Sequence, residues 1–364
     1  MLPLIALAKP PVPVDGPYVR YTGGQVIVTT IERDDDLLEP QTQTFPLSAK
    51  AAITLQVTPE GHPDWSFTVR LKPNLEPEPS TFAAPTKTLF LSDIEGEFAK
   101  FREILLAAKI IDTQYNWTYD RGSVVIAGDL FDRGTDVVPE LWLLYKLEDE
   151  AKVAGGAVHV LLGNHDVMNL SGDNRYTDAK YFKNAWLMEM NISHLFDKST
   201  ELGRWLRSRN VIEKVGDILV MHGGLSPALL AVNRSPDQLN AACRPFYAVS
   251  TEAVPDSLKV YFGSKALFWY RGYFRAPKIS EADLDITLKQ YDCKQILVGH
   301  TIVKWNIALF LGGKVIGVDV DYHKGKPMAA LYQDGQWLVI DEKGKCKPMH
   351  YQPTNDQIKE SDIL

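Results

Sequence analysis

Val124-Val125-Ile126-Ala127-Gly128-Asp129-Leu130-Phe131-Asp132-Arg133-Gly134 is an apolar run closed by a glycine and a carboxylate, with a second acid and an arginine behind it. A short apolar run bounded by turn signals reads as a buried strand, so Asp129 stands at a strand's carboxyl end. The same construction occurs twice more: Thr88-Leu89-Phe90-Leu91-Ser92-Asp93 before it, and Val158-His159-Val160-Leu161-Leu162-Gly163-Asn164-His165-Asp166 after it. These endings fall about 35 residues apart, which is room for a helical crossover between parallel strands. Parallel strands bring their carboxyl ends side by side, and open α/β sheets bind ligands at that edge. The three endings are therefore read as one site.

The chain's 364 residues allow one large domain with an appendage, or two domains. With 45% hydrophobic and 23% charged residues it buries an ordinary globular core. No apolar run approaches the roughly 18 residues of a membrane span. A net charge of -7 speaks against a nucleic-acid partner, because polyanion binders usually present a basic face. A phosphorylated substrate held by metals and a few arginines remains compatible with it. Cys243, Cys293 and Cys346 are scattered without metal-site spacing and read as packed or surface thiols. Met1-Leu2-Pro3-Leu4-Ile5-Ala6-Leu7-Ala8 is short for a signal peptide but ends in a small-x-small pattern, which leaves a trimmed export signal as one reading beside chance. The compartment stays open between cytoplasm and periplasm.

Residues 1–72 alternate as strands do, in Gln25–Ile31, Ala52–Val57 and Trp65–Val69, and are expected to form a small β module. The proline- and acid-rich stretch in 73–85 reads as an extended linker. A main α/β domain is expected over 86–343, with helices after Gly96 and Gly134 and through 177–209. Further strands lead into His222-Gly223-Gly224-Leu225-Ser226-Pro227 and Gly299-His300-Thr301. Turn signals at Gly312-Gly313 and Asp334-Gly335 suggest an antiparallel set completing the sheets, with helices covering packed sheets. The tail, 344–364, is polar and expected to be loosely held.

Asp93, Asp129, Asn164, His222 and His300 all fall where apolar strands stop. Hard oxygens combined with imidazoles suit Zn, Mn, Fe or Mg, and a carboxylate between two sites can bridge two ions. Two such ions can hold the attacking and leaving oxygens of a phosphoryl displacement.

The order Asp93-Ile94-Glu95-Gly96, Gly128-Asp129 to Asp132-Arg133-Gly134, Gly163-Asn164-His165-Asp166, His222-Gly223-Gly224-Leu225-Ser226-Pro227 and Gly299-His300 resembles the calcineurin-like metallophosphoesterases. Within them it is most similar to the phosphoprotein phosphatase branch, and Phe268-Trp269-Tyr270-Arg271-Gly272 resembles that branch's Shewanella-like group. The resemblance implies a layered sandwich of two central mixed β-sheets flanked by helices. It implies a phosphomonoesterase using two divalent metal ions, acting on phosphorylated protein or small aryl phosphates and accepting phosphotyrosine. It also implies that Asp129 bridges the metals, with Asp93 on the first and Asn164, His222 and His300 on the second. His165, paired with Asp132, would be the general acid, and Arg133, Arg271 and Asn164 would hold the phosphate. Water on the metals would attack directly, in keeping with the lack of a Cys-x5-Arg loop. A dinucleoside polyphosphate hydrolase or phosphodiesterase and a degenerate phosphate-binding protein are the rival readings.

Two positions depart from the family pattern. Glu95 stands where the first motif has a histidine ligand, and is expected either to bind the first metal through oxygen or to leave that site weaker. Asp166 replaces the usual glutamate, outside the ligand set. The aromatic side chains of Phe268-Trp269-Tyr270 are expected to flank the phosphate held by Arg271.

Overall fold

The computed structural model describes residues 11–352 except 305, together with 359 and 361. The export-signal reading of Met1–Ala8 lies outside the described residues.

The alternating amino-terminal segment forms strands β1 (Val12–Thr22), β2 (Gln25–Asp34) and β3 (Leu37–Pro46), an antiparallel sheet in that order. A separate ribbon pairs β4 (Thr54–Val57) with β5 (Phe67–Arg70). The proline-rich stretch that follows is extended, but it also supplies a short edge strand, β6 (Thr81–Phe82). Next come β7 (Lys87–Leu91), α1 (Phe98–Ala107), β8 (Ser123–Ala127), α2 (Val137–Ala154), β9 (Ala157–Leu161) and α3 (Asn164–Ser171). The helical stretch holds α4 (Ala179–Leu187) and α5 (Glu201–Arg207). After it lie β10 (Ile212–Val215), β11 (Ile218–Met221), α6 (Pro227–Leu230), α7 (Pro236–Cys243), α8 (Glu281–Gln290) and β12 (Gln295–Val298). The last strands are β13 (Ala308–Phe310), β14 (Val315–Gly317), β15 (Met328–Gln333), β16 (Gln336–Asp341) and β17 (Cys346–Pro348).

Two six-stranded mixed sheets result, ordered β17-β16-β15-β7-β8-β9 and β13-β14-β12-β11-β10-β6. In the first, β7, β8 and β9 run parallel, with Leu91 beside Ile126 and Ala127 beside Leu161, so their carboxyl ends are level. β8 is buried along its whole length, which explains a continuous apolar run in place of alternation. In the second, β11, β12 and β14 are parallel and end toward the same region.

The carboxyl-terminal hairpins do not form one set. β13 and β14 close one edge of the second sheet, whereas β15 and β16 extend the first sheet from β7. Each hairpin completes an open edge of a different sheet, and the connection 318–327 must cross between them. The described start of the tail, through Gln352, is held more firmly than its polarity suggests: β17 pairs with β16, and Leu309 exchanges backbone hydrogen bonds with His350 and Gln352.

The β module sits on α2. Trp142 donates to the Pro17 carbonyl at 2.8 Å, and Val14, Val26, Leu55 and Val69 belong to the same hydrophobic cluster as the main sheets. Lys72, just after β5, meets Glu148 of α2 at 2.5 Å, and Arg209 and Trp205 bond the same carboxylate. All three charges are buried. Glu148→Ala is expected to destabilise the protein by roughly 3 kcal/mol, because Arg209 is left buried without its counter-charge while Lys72 retains Asp149 at 3.3 Å. Urea denaturation measures this, and a loss under about 1 kcal/mol would mean that water reaches the network. Among the described residues, no helix is long and apolar enough to cross a membrane.

Candidate active site

The strand exits meet in one place, and the backbone there is unusual. Asp93 (φ 54°), Glu95 (φ 50°), Asp129 (φ 57°), Asp132 (φ 78°), Arg133 (φ 58°) and His300 (φ 64°) all adopt the left-handed conformation that costs non-glycine residues energy. Cross-loop hydrogen bonds hold them there: Asp93 N to Gly128 O at 3.0 Å, Glu95 N to Asp129 O at 3.1 Å, and Gly299 N to His222 O at 2.9 Å. The loops also approach closely. A Cβ on Gly163 would lie 2.1 Å from Asp129 Oδ1, so the β9 exit has no room for a side chain at that position.

Asp129, His222 and His300 present ligand atoms within 4.8 Å of one another, all buried. His222 Nδ1 lies 2.8 Å from the Ala127 carbonyl, to which it donates. That leaves Nε2 facing Asp129 Oδ2 at 3.0 Å and Asn164 Oδ1 at 3.0 Å. His300 turns its Nδ1 toward the same donors, 2.7 Å from the inward atom of the Asn164 amide, while its Nε2 is buried with no hydrogen-bond partner among the described residues. Lone pairs converging from two imidazoles, a carboxylate and an amide fit a cation. Turned over, the Asn164 amide would donate to His300 Nδ1 at 2.7 Å and His222 Nε2 at 3.0 Å. A divalent ion favours the orientation with oxygen inward.

Electrostatics agrees with this fit. Burial pushes the Asp93 carboxyl up to about 6, offset by His222 and reinforced by Asp129 and Glu95. Asp129 stays well below the usual carboxylate range despite burial, because His222 and His165 lie beside it. The His222 imidazolium overcomes burial through Asp129 and Asp93 and is held up to about 9. Burial, His222 and Arg271 keep His300 well below the usual histidine range. Where carboxylates draw protons onto histidines in this way, a metal ion displaces those protons on binding.

His165 has a different setting. Its Nδ1 is 2.6 Å from Asp132 Oδ2, and its backbone N–H donates to Asp129 Oδ1 at 2.9 Å. Asp132 is locked in turn by Asn169 Nδ2 at 2.7 Å and Thr177 Oγ1 at 2.9 Å. The ring's Nε2 end is thus turned toward the cavity, 3.9 Å from Glu95. Against burial, Asp129, Asp132 and Glu95 raise the His165 imidazolium to about 9.

Glu95 is buried among Arg133 on one side and His323 Nε2, at 2.7 Å, on the other. His323 Nδ1 lies 2.8 Å from Glu97, so a carboxylate–imidazole–carboxylate chain runs outward from Glu95. Glu95 also groups with Asp129 and His165 as a set of potential metal donors. Arg271 bonds the His300 carbonyl and Thr301 Oγ1, and faces the same cavity of about 170 Å³ as Arg133, Asp93 and His165.

Asp319, Arg275 and His323 also line that cavity and are absent from the sequence-derived set. Asp319 is buried, and burial together with Asp93 and Glu95 pushes its carboxyl well above the usual range. These residues come from the region of the crossing between the sheets and from a loop before α8, where no apolar strand points to them. Asp166, set aside as a minor change, accepts hydrogen bonds from Gly163 N at 2.7 Å, Leu130 N at 2.8 Å and Asp129 N at 3.0 Å. It shapes the turn that carries Asp129. The aromatic expectation needs correction: none of Phe268, Trp269 and Tyr270 lines the cavity that Arg271 faces, Phe268 and Trp269 border a larger one, and only Trp269 of the three is exposed. Neighbouring positions in this irregular loop point in different directions.

The sequence pattern of the calcineurin-like phosphoesterases matches residues 86–304. A solved structure of the cold-active protein-tyrosine phosphatase of a psychrophilic Shewanella species superposes with a TM-score of 0.82 at 32% identity, covering 92% of this chain and 99% of that one. Shewanella-like protein phosphatase 1 of Plasmodium berghei is 30% identical over 224 residues, 59% of this chain and 61% of that protein. Shewanella-like protein phosphatase 2 of Arabidopsis thaliana is 38% identical over 99 residues, 27% of this chain and 25% of that protein. The chain thus matches less than two thirds of the length of these two relatives.

Proposed function

Because the chain belongs to the calcineurin-like phosphoesterase family, whose members use divalent metal ions, we propose that it is a metal-dependent phosphomonoesterase of the protein phosphatase type that accepts phosphotyrosine. The observation that carries this reading is His165, its Nδ1 locked by Asp132 at 2.6 Å, set beside the donor set of Asp129, His222 and His300. Asp129 would be shared by two ions, with Asp93 and Glu95 toward one and Asn164, His222 and His300 toward the other. Bound there, divalent ions supply Lewis acidity and an activated water. Arg133 and Arg271, which both line the small cavity, hold phosphate oxygens by charge-assisted hydrogen bonds. Glu95 fixes the Arg133 guanidinium, and the His300 carbonyl fixes that of Arg271. As the ester bond breaks, His165 Nε2 gives its proton to the departing oxygen while Asp132 steadies the ring through Nδ1.

The experiment is a set of initial rates on phosphotyrosine and phosphoserine peptides across Mn, Mg, Zn and Fe, before and after chelation. Chelation should abolish hydrolysis and the added metal restore it. Faster cleavage of a dinucleoside tetraphosphate than of any phosphomonoester would replace this reading with the rival hydrolase.

Glu95 has its own expected outcome. Glu95→Ala should lower affinity for the ion on the Asp93 side at least roughly 10-fold, as loss of a metal-orienting group does. It should also raise KM, because Arg133 loses its anchor. Metal content after gel filtration and steady-state kinetics read the two effects separately. Unchanged stoichiometry with raised KM would leave Glu95 as the arginine's partner alone. Glu95→His is expected to shift preference toward zinc or iron, which suit imidazole.

A further inference from the structure

Beside the small polar cavity lies a second, larger cavity of about 620 Å³, with Asn164, Met168, Phe262 and Phe268 along it. The first has room for little beyond a phosphate group and its ions. The second lies within the size range of about 300–1,000 Å³ typical of ligand pockets. Two large aromatic side chains stand on its walls while remaining open to solvent, Tyr176 at 49% and Trp269 at 36% exposure. Exposed rings at the mouth of a polar site are the groups that recognise an apolar ligand part.

Each ring is tied to a residue of the site. Tyr176 lies with its centroid 5.3 Å from the His165 ring, and Trp269 sits edge-on to His300 at 5.8 Å. The backbone around Tyr176 is pinned from both sides. Its carbonyl accepts from Arg133 N at 3.1 Å, and the next residue, Thr177, bonds Asp132. The turn bearing Trp269 is pinned to the His222 loop, since Gly223 N and Gly224 N both donate to the Leu267 carbonyl, at 2.6 and 3.0 Å. The rings are therefore placed by the same bonds that place the proton donor and a metal-side histidine.

We propose that this groove is the leaving-group subsite for aryl phosphate esters, with Tyr176 and Trp269 lying along the phenyl ring of a phosphotyrosine side chain. The proposal rests on the phosphomonoesterase reading above. His165 hands its proton to the departing oxygen, so the departing group must lie on the His165 side, where Tyr176 stands. The charges along the groove are Asp173, Arg175 and Glu252, and the Arg175 guanidinium is already forked onto Asp173 at 2.7 and 2.8 Å. A second phosphate in the leaving group finds no free cation there among the described residues, whereas a neutral aromatic ring finds two aromatic walls.

The test is the ratio of kcat/KM for a phosphotyrosine peptide to that for a phosphoserine peptide of the same flanking sequence, with the metal-loaded enzyme. Trp269→Leu and Tyr176→Leu should each lower this ratio roughly threefold to tenfold, chiefly through KM, as loss of an aromatic pair does. Trp269→Phe should recover most of it. Metal analysis runs alongside, and if Trp269→Leu sheds metal because it lies against His300, Tyr176→Leu, whose ring lies against His165 instead, decides. An unchanged ratio overturns the subsite. Failure of the unsubstituted, metal-loaded enzyme to hydrolyse any phosphopeptide overturns the phosphomonoesterase reading beneath it, a distinct result.

Discussion

Asp129→Asn is expected to lower kcat/KM by roughly 1,000-fold or more, with metal content reduced and secondary structure by circular dichroism intact. Outer-shell partners of a bound metal already cost about 10- to 100-fold when removed, and Lewis-acid stabilisation amounts to several kcal/mol, at about 1.4 kcal/mol per decade of rate. Asp129 is more central than an outer-shell group. One oxygen faces His222 Nε2 at 3.0 Å, and the other accepts the His165 amide at 2.9 Å. An amide in its place keeps the shape but removes the charge that two ions would share. The variant's metal stoichiometry and rates on nitrophenyl phosphate decide the matter. Wild-type rates in a protein that has lost metal would remove metal assistance from the account.

His165→Asn should behave differently. Its expected loss is roughly 100- to 10,000-fold on phosphopeptides, the range of positioned general acid catalysis. Bound metal should be retained, because the ring's Nδ1 is engaged by Asp132 and its Nε2 faces the cavity beside Glu95. The loss should shrink on nitrophenyl phosphate, whose leaving oxygen needs little protonation. The comparison requires only two substrates and a metal assay. An equal deficit on good and poor leaving groups would take His165 out of the acid role and leave it as a phosphate-binding residue. Asp132→Asn should follow the same pattern with a smaller loss, since Asn169 and Thr177 still hold the side chain in place.

Much of this site could be read from the chain itself because its residues follow apolar runs. A buried strand needs a continuous run, as Val124–Ala127 has, and the first polar residue after it is then presented at the sheet edge. Asp129, Asn164, His222 and His300 announce themselves in that way, and Asp93 one place later, behind Ser92. That two mixed sheets pack together was implied by the family resemblance, and the structure has two six-stranded ones. Resemblance to a family added roles to these positions, and one to His165, that spacing alone did not assign.

Other features became visible only when distant segments met. Glu95 and His323 are 228 positions apart, and nothing near His323 in the sequence marks it as a partner of the first motif. Asp319 enters the same cavity because one carboxyl-terminal hairpin joins each sheet, so the chain between them must cross the site. Trp269 and Tyr176 face one groove although they belong to irregular loops, where side-chain direction has no period of 2 or 3.6 to follow. Periodic burial is written locally, and so the strands and the polar residues at their exits were determined by the sequence by itself. Which loop residues close over those exits depends on contacts between segments remote in the chain, and only the tertiary structure decided that.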